Sequence, residues 1–254
     1  MKNPLRLKTE QFVAFPEEDR ARLDDLVARA RRETYGPREE ILKEGEKVDN
    51  IHLVLEGLGA RSKTLSDGRR QIMAFLIPGD LCDVEVFVLG AMDHSILAMC
   101  ETTCALIPAA TIKGLLVEST SLTTALWWST MTDSAVLRER IIDHGRRDAR
   151  ERLAHLFYEM LLRNRIVCET ADHSFPFPVS QEELADATGM TPVHLNRMLR
   201  ELRDKGLLEF AGGTVKVLDP KRLKRLAKFD ANYLHLDRGE DDEDPVSARA
   251  GDLL

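Results

Sequence analysis

Residues 180–205, SQEELADATGMTPVHLNRMLRELRDK, admit very few folds. Ser180 followed by Glu183 is a capping box, in which hydroxyl and carboxylate each satisfy a free backbone N–H at a helix start. Gly189 closes that helix, because glycine takes a left-handed cap without steric cost. Thr191 caps a second helix, and Pro192 stands in its first turn, where the missing N–H is no loss. Leu184, Ala185, Thr188, Met190, Leu195 and Met198 fall on the inward positions that two crossed helices need. Asn196, Arg197, Arg200 and Arg203 stay outside. A basic, amide-bearing helix held against a first helix is the physical form of a DNA reader. The alternative is an ordinary helical hairpin with a solvated basic face. The two caps, the turn glycine and the core spacing together count against it.

Net charge must be compatible with a polyanion partner. The formal charge of the 254-residue chain is −7, which argues against bulk nucleic-acid binding, but the average hides an asymmetry. Residues 191–228 hold ten Lys/Arg and four Asp/Glu, a local charge of +6; residues 237–254 hold seven Asp/Glu and two Arg, a charge of −5. At 43% hydrophobic and 31% charged residues, the chain has the composition of a soluble protein with room for two cores. No apolar run approaches the ~20 residues needed to span a bilayer. The first residues, MKNPLRLKTEQF, lack the apolar core of a signal peptide, so a cytoplasmic location and no membrane partner are expected.

Taken in order, residues 16–32 open with Pro and acids, end in Arg and align Leu23, Leu26, Val27 and Ala30, which predicts an amphipathic helix. From residue 35 to about 110, short apolar runs alternate with Gly45, Gly57, Gly68 and Gly79, and SDG at 66–68 is a hairpin signal. That texture predicts a small antiparallel roll or barrel. Cys82, Cys100, Cys104 and Cys168 form no CxxC pair. MCETTCALI (99–107) reads as one strand, which puts Cys100 and Cys104 roughly 13 Å apart, beyond disulfide reach. Buried, inert thiols are expected. Residues 121–144 return to helical spacing, with Leu126, Thr130, Asp133, Leu137, Ile141 and His144 as a mixed seam beside Trp127 and Trp128. Such a seam predicts a dimer interface; the other reading packs the stripe on its own roll. A further helix follows at about 148–164, then a proline-containing connector at 169–180 and the helix pair. LLEF-AGG-TVKV (207–217) predicts a hairpin wing, and DPKRLKRLAKF a short basic helix. The acidic remainder, 237–254, is poor in apolar residues and is expected to be disordered.

This order of parts resembles the Crp/Fnr family of bacterial transcription regulators. The landmarks are YGPREEILKEG (35–45), the SDGR turn (66–69), PGD (78–80) and the helix pair. The resemblance implies an α+β fold with an N-terminal antiparallel, jelly-roll-like β-roll (1–120), a dimerisation helix (121–146), a winged helix-turn-helix (147–236) and the acidic tail. It implies a homodimer that reads two-fold symmetric double-stranded DNA, meets RNA polymerase and senses some signal through its roll. Family members that bind cyclic AMP hold ribose and phosphate with a glutamate after the PGD turn and an Arg-Ser pair ten residues later. The effector pocket so implied is Asp80, Val84, His94 and Ser95. Valine accepts no bond from a ribose hydroxyl, and histidine lacks the bidentate phosphate contact of a guanidinium. Cyclic AMP is therefore not the expected effector. Glu85, on a strand, would face the other way. His94 with Arg61, Lys63, Arg69 or Arg70 offers charge for another anion.

No cysteine precedes Cys82, so the iron–sulfur chemistry of some relatives is not expected, and no cofactor is assigned. His52, His94 and His144 are the histidines a haem-sensing relative would draw on. In the best-understood relatives the reading helix carries Arg-Glu at its second and third positions and an arginine four residues later. Here Pro192-Val193 replaces the pair, while Arg197 stands where that arginine would. Arg197 is placed for guanine, Val193 for a thymine methyl, and His194 and Asn196 for bases or phosphates. Ser180, Gln181 and Thr191, at helix starts, are placed for phosphates, as is Arg200. No nucleophile–base pair, metal cluster or phosphate loop stands out, so an enzyme is not expected. A signalling module that binds a small ligand and docks on proteins is the rival reading.

Overall fold

The computed structural model describes residues 3–84, 90–168 and 172–235. Two short helices come first, α1 (Pro4–Thr9) and α2 (Glu17–Arg29). Seven strands then build a roll of two antiparallel sheets: β1 (Arg31–Tyr35), β2 (Glu40–Leu42), β3 (Asn50–Glu56), β4 (Gly59–Thr64), β5 (Arg70–Leu76), β6 (Ser95–Ala98) and β7 (Thr102–Pro108). Their orders are β1-β7-β3 and β2-β6-β4-β5. Helix α3 (Ala109–Glu118) leads to α4 (Thr120–Gly145), whose 26 residues span about 39 Å. Beyond it lie α5 (Ala149–Val167), β8 (Ser174–Pro176), α6 (Gln181–Thr188), α7 (Pro192–Asp204), β9 (Leu208–Ala211), β10 (Thr214–Val217) and α8 (Pro220–Ala227), then a 3-10 turn at Ala231–Leu234.

Three expectations need correction. The wing is not a two-stranded hairpin: the connector supplies Ser174–Pro176, which pairs with β10 and makes the wing a three-stranded sheet in the order β8-β10-β9. Residues 99–107 are not one strand. A bend separates β6 from β7, with Cys100 half-buried in it, whereas Cys82 and Cys104 are fully buried side by side. The α4 seam is also out of phase. Leu126 packs against the apolar cluster under α1 and α2, and Asp133 turns to its own roll, so the first half of that seam is internal. The exposed stripe instead runs through Thr124, Trp127, Met131, Ser134, Leu137, Arg138 and Ile141. Trp127 is 61% and Ile141 73% exposed. The expected disorder of 237–254 concerns residues outside those described, as do Glu85 and residues 169–171.

One apolar core joins roll and C-terminal helices. Ala60, Ile72, Phe75 and Ile77 of the roll share it with Leu153, Phe157, Met160, Phe177, Leu195 and Leu202. Phe75 and Phe177 meet edge-to-face at 4.8 Å between ring centroids, a geometry that adds specificity to apolar burial. Ion pairs frame this seam. Arg70 grips the Asp186 carboxylate with two nitrogens at 2.9 and 2.8 Å, Gln71 donates to the Asp186 carbonyl at 2.7 Å, and Arg38 meets Glu183 at 3.1 Å. At the centre sits Asp80, wholly buried. It accepts from the Ile77 N–H at 2.8 Å, from Arg163 of α5 at 2.7 Å and from Lys8 of α1. Gly79 beside it has φ +92°, and a Cβ there would lie 2.6 Å from the Pro4 carbonyl oxygen, so only glycine lets α1 come this close. Phe12 completes the attachment by stacking on Trp128 of α4 at 3.6 Å.

Candidate nucleic-acid interface

The helix pair is built as its residues dictate. Ser180 Oγ accepts the Glu183 N–H at 3.2 Å, and Glu183 accepts the Ser180 N–H at 2.7 Å. Burial opposes the Glu183 charge, yet the Ser180 backbone and hydroxyl and the Arg38 guanidinium hold its carboxyl below the usual glutamate range. Gly189 turns the chain at φ 62°, ψ 36° and passes its N–H to Ala185 O. Thr191 Oγ then accepts the His194 N–H at 3.3 Å, with Pro192 in the first turn of α7. Arg152 of α5 fixes the corner, donating to Thr188 O at 2.6 Å and to Asp143 O at 2.8 Å.

Leu195, Met198 and Leu202 are buried, so the outward face of α7 is set by helical phase. That face presents Val193, Asn196, Arg197, Arg200 and Arg203, all exposed, with Val193 at 82%. His194 is half-buried at its edge. Gln181 and Thr191 are exposed at the two helix starts; Ser180 is half-buried and spends its oxygen on the cap. The wing hairpin β9–β10, closed by Gly212-Gly213, follows directly. An exposed row of guanidinium and amide groups on a rigid, capped helix has the donors that base edges and phosphates accept from.

The four effector-pocket residues are not brought together around a space. Asp80 is locked between Lys8 and Arg163, and Val84 packs against the cluster under α1 and α2. His94 is turned to Asp93 at 2.5 Å, while Ser95 Oγ accepts from Glu44 N at 3.0 Å. Nor do the basic residues converge on an anion site. Arg61, 4% exposed, donates to Leu81 O and to Asp133 of α4, both at 2.9 Å. Lys63 donates to Asp93 O, Arg69 folds onto Asp67 in its own turn, and Arg70 is the domain clamp. A cavity of about 50 Å³ lies under α1 and α2 and one of about 270 Å³ lies beside Arg138 and Tyr233; neither is lined by the four. His52, for its part, is buried and paired with Asp83 at 2.7 Å. Among the described residues no three His, Cys, Asp or Glu side chains are arranged to hold a metal ion, and no helix is long and apolar enough to cross a membrane. Sequence reasoning missed Lys8 and Arg163 and put Asp133 in the dimer seam; the roles of all three depend on partners 72 or more residues away.

A winged helix-turn-helix clamped to an antiparallel roll and followed back along a long shared helix defines a DNA-binding transcription regulator. Comparison with known proteins agrees. Residues 32–119 match the cyclic nucleotide-binding domain and residues 151–226 the Crp-like helix-turn-helix domain. The nitrogen fixation regulation protein FixK of Bradyrhizobium diazoefficiens is 27% identical over 210 residues, covering 82% of this chain and 87% of FixK. The transcriptional activatory protein AadR of Rhodopseudomonas palustris is 26% identical, covering 76% and 80%. Among solved structures, FixK2 from Bradyrhizobium japonicum superposes with a TM-score of 0.69 at 28% identity, covering 78% of this chain and 96% of that one. The chain belongs to the Crp/Fnr family of transcription regulators and carries its helix-turn-helix DNA-binding domain.

Proposed function

We propose that this regulator works as a cytoplasmic, non-enzymatic homodimer that reads a two-fold symmetric DNA site with Arg197, Val193, His194 and Asn196 of α7. Gln181, Thr191 and Arg200 hold phosphates, and Ser180 holds the helix start. The observation that carries the reading is the exposed basic and amide face of α7 on a fully capped helix pair. Dimerisation is supported by the exposed stripe through Trp127, Met131 and Ile141, a spacing suited to a coiled-coil partner. The functional division at 1–120, 121–146 and 147–236 belongs to the same reading. Three relatives are named as transcriptional activators, which supports contact with RNA polymerase. The roll does not take cyclic AMP: Val84 and His94 lack the needed chemistry, and Arg61 with Asp133 bridges the space between roll and α4.

The test is selection of bound sequences from a random duplex pool with no added ligand, repeated on Arg197→Ala. A symmetric site is expected without ligand. Arg197→Ala is expected to relax one base position per half-site, worth about 1–3 kcal/mol of discrimination. Enrichment of nothing, with or without cell extract, would sink the reading.

A further inference from the structure

The first residues of the chain lie where three bodies meet. Phe12 stacks on Trp128 of α4, and the Lys8 ammonium stands 5.9 Å from the centroid of the same ring, a cation–π distance. Lys8 also donates to Asp80 of the roll, which in turn accepts from Arg163 of α5 at 2.7 Å. The long helix, the roll and the helix that leads into the DNA-binding domain are thus joined through two side chains of one short arm. On its other side the arm is tied to α2, where Asn3 donates to Leu23 O at 3.0 Å and Arg6 reaches Asp24 at 3.1 Å. A six-residue helix is marginal in water by itself, so this seat is what holds α1.

The Asp80 carboxylate divides its oxygens. Oδ1 serves Lys8, while Oδ2 serves Arg163 and the Ile77 N–H. Arg163 also donates to Phe75 O of the roll at 3.0 Å and to Glu159 at 3.3 Å. While Lys8 occupies Oδ1, Arg163 has one oxygen to meet, and its place against the roll is fixed. Without Lys8, Oδ1 is a buried acceptor lacking a donor, which is a costly state. A guanidinium has the fork to take both oxygens, and in doing so it carries α5 with it. Leu153, Phe157 and Met160 of α5 share a core with Leu195 and Leu202 of α7, so a shift of α5 is a shift of the reading helix.

We infer that the N-terminal arm is a positioning element for DNA reading. Lys8 and Phe12 seat it, and its seat sets the place of α5 and with it the separation of the two reading helices in the dimer. The inference rests on the DNA-binding reading and adds a determinant that lies off the DNA-facing surface. A two-fold site demands two reading helices at one separation, about one turn of duplex, whereas random duplex is held through its phosphates whatever the separation. The arm therefore governs specific binding and leaves non-specific binding alone.

The test uses the full-length protein and the symmetric site recovered by selection, in its natural spacing and with one base pair added between the half-sites. The insertion moves one half-site by about 3.4 Å and turns it by about 35°. Affinities are read by fluorescence anisotropy at a temperature where circular dichroism shows every variant folded. The unaltered protein is expected to lose at least tenfold on the lengthened site. The K8M, F12A variant is expected to bind the natural site at least tenfold more weakly and to lose less than threefold further on the lengthened one. Its binding to random duplex is expected to stay within about twofold. A role confined to stability lowers binding to all three DNAs together or to none, and either result would overturn the inference. Hydrogen exchange at the Leu7, Glu10 and Val13 amides, which donate to Asn3, Arg6 and Thr9 carbonyls at 3.0, 2.9 and 3.0 Å, reports the seat without DNA. Exchange there is expected to quicken at least tenfold in the variant; an arm that stays protected would mean that Lys8 and Phe12 do not hold it, and the inference falls. Should K8M, F12A fail to fold, Phe12→Leu keeps the apolar bulk, loses the stack and is judged by the same comparisons. An arm that loosens in the variant, in a protein that selects no DNA sequence, would overturn the DNA reading and leave the seat standing.

Discussion

Replacing Asp80 with asparagine should be among the most damaging single changes available in this chain. The carboxylate is 0% exposed, serves Lys8 and Arg163 at once and accepts the Ile77 N–H. Asparagine keeps the shape and loses the charge. Two cations, each 8% exposed, are then left facing a neutral amide. Removing one member of a buried pair costs about 3–5 kcal/mol, and here two charges are orphaned, so the upper part of that range applies. Against a total stability of about 5–15 kcal/mol the loss is about a quarter or more. Burial opposes the Asp80 charge, but Lys8 and Arg163 outweigh it and hold the carboxyl below its ordinary 3.8. Its contribution is therefore present above about pH 4 and lost as pH falls through the lower, folded value. Urea unfolding followed by tryptophan fluorescence is a suitable assay, because Trp128 stacks on Phe12 of the arm that Lys8 holds. The expected result is a loss of about 4–5 kcal/mol at pH 7 that shrinks below pH 4. A loss under about 1 kcal/mol at pH 7 would refute the reasoning, since it would mean that the three-way clamp contributes nothing to docking.

Leu195→Ala should cost about 2–5 kcal/mol by opening a cavity behind the reading helix, and calorimetry should show it as a lower Tm. Ile141→Asp leaves the monomer fold unchanged, because the side chain is 73% exposed, but should raise the dimer dissociation constant at least tenfold in sedimentation equilibrium. An unchanged constant would remove the α4 stripe from the interface. Asp133→Asn removes one charged partner of the buried Arg61 and should destabilise the roll by about 1 kcal/mol or more, read by urea unfolding.

What was legible from the chain was local. The capping box of α6, the glycine turn and the cap of α7 depend on neighbours one to three residues away, and the residues concerned make those bonds. The phase of α4 was not legible. Apolar residues line two of its faces, one toward its own roll (Leu122, Ala125, Val136) and one toward solvent (Trp127, Met131, Ile141), and periodicity alone cannot say which is which. Helix α1 was missed because six residues carry no periodicity; its place is fixed by the Asn3 cap and by Asp80, far along the chain. Asp80 itself was misread for the same reason. A PGD turn marks a position in the roll, while the partner of its carboxylate is decided by elements 72 and 83 residues distant.

The grip of Arg38 and Arg70 on α6 reaches beyond the joint between domains. Glu182, Glu183 and Asp186 make α6 an acidic helix in a domain that must approach a polyanion. The roll lends it two guanidinium groups, and with them most of its neutrality. Docked on the roll, the DNA-binding domain carries two of its acids masked, so the charge it turns toward a phosphate backbone is that of α7 rather than that of α6.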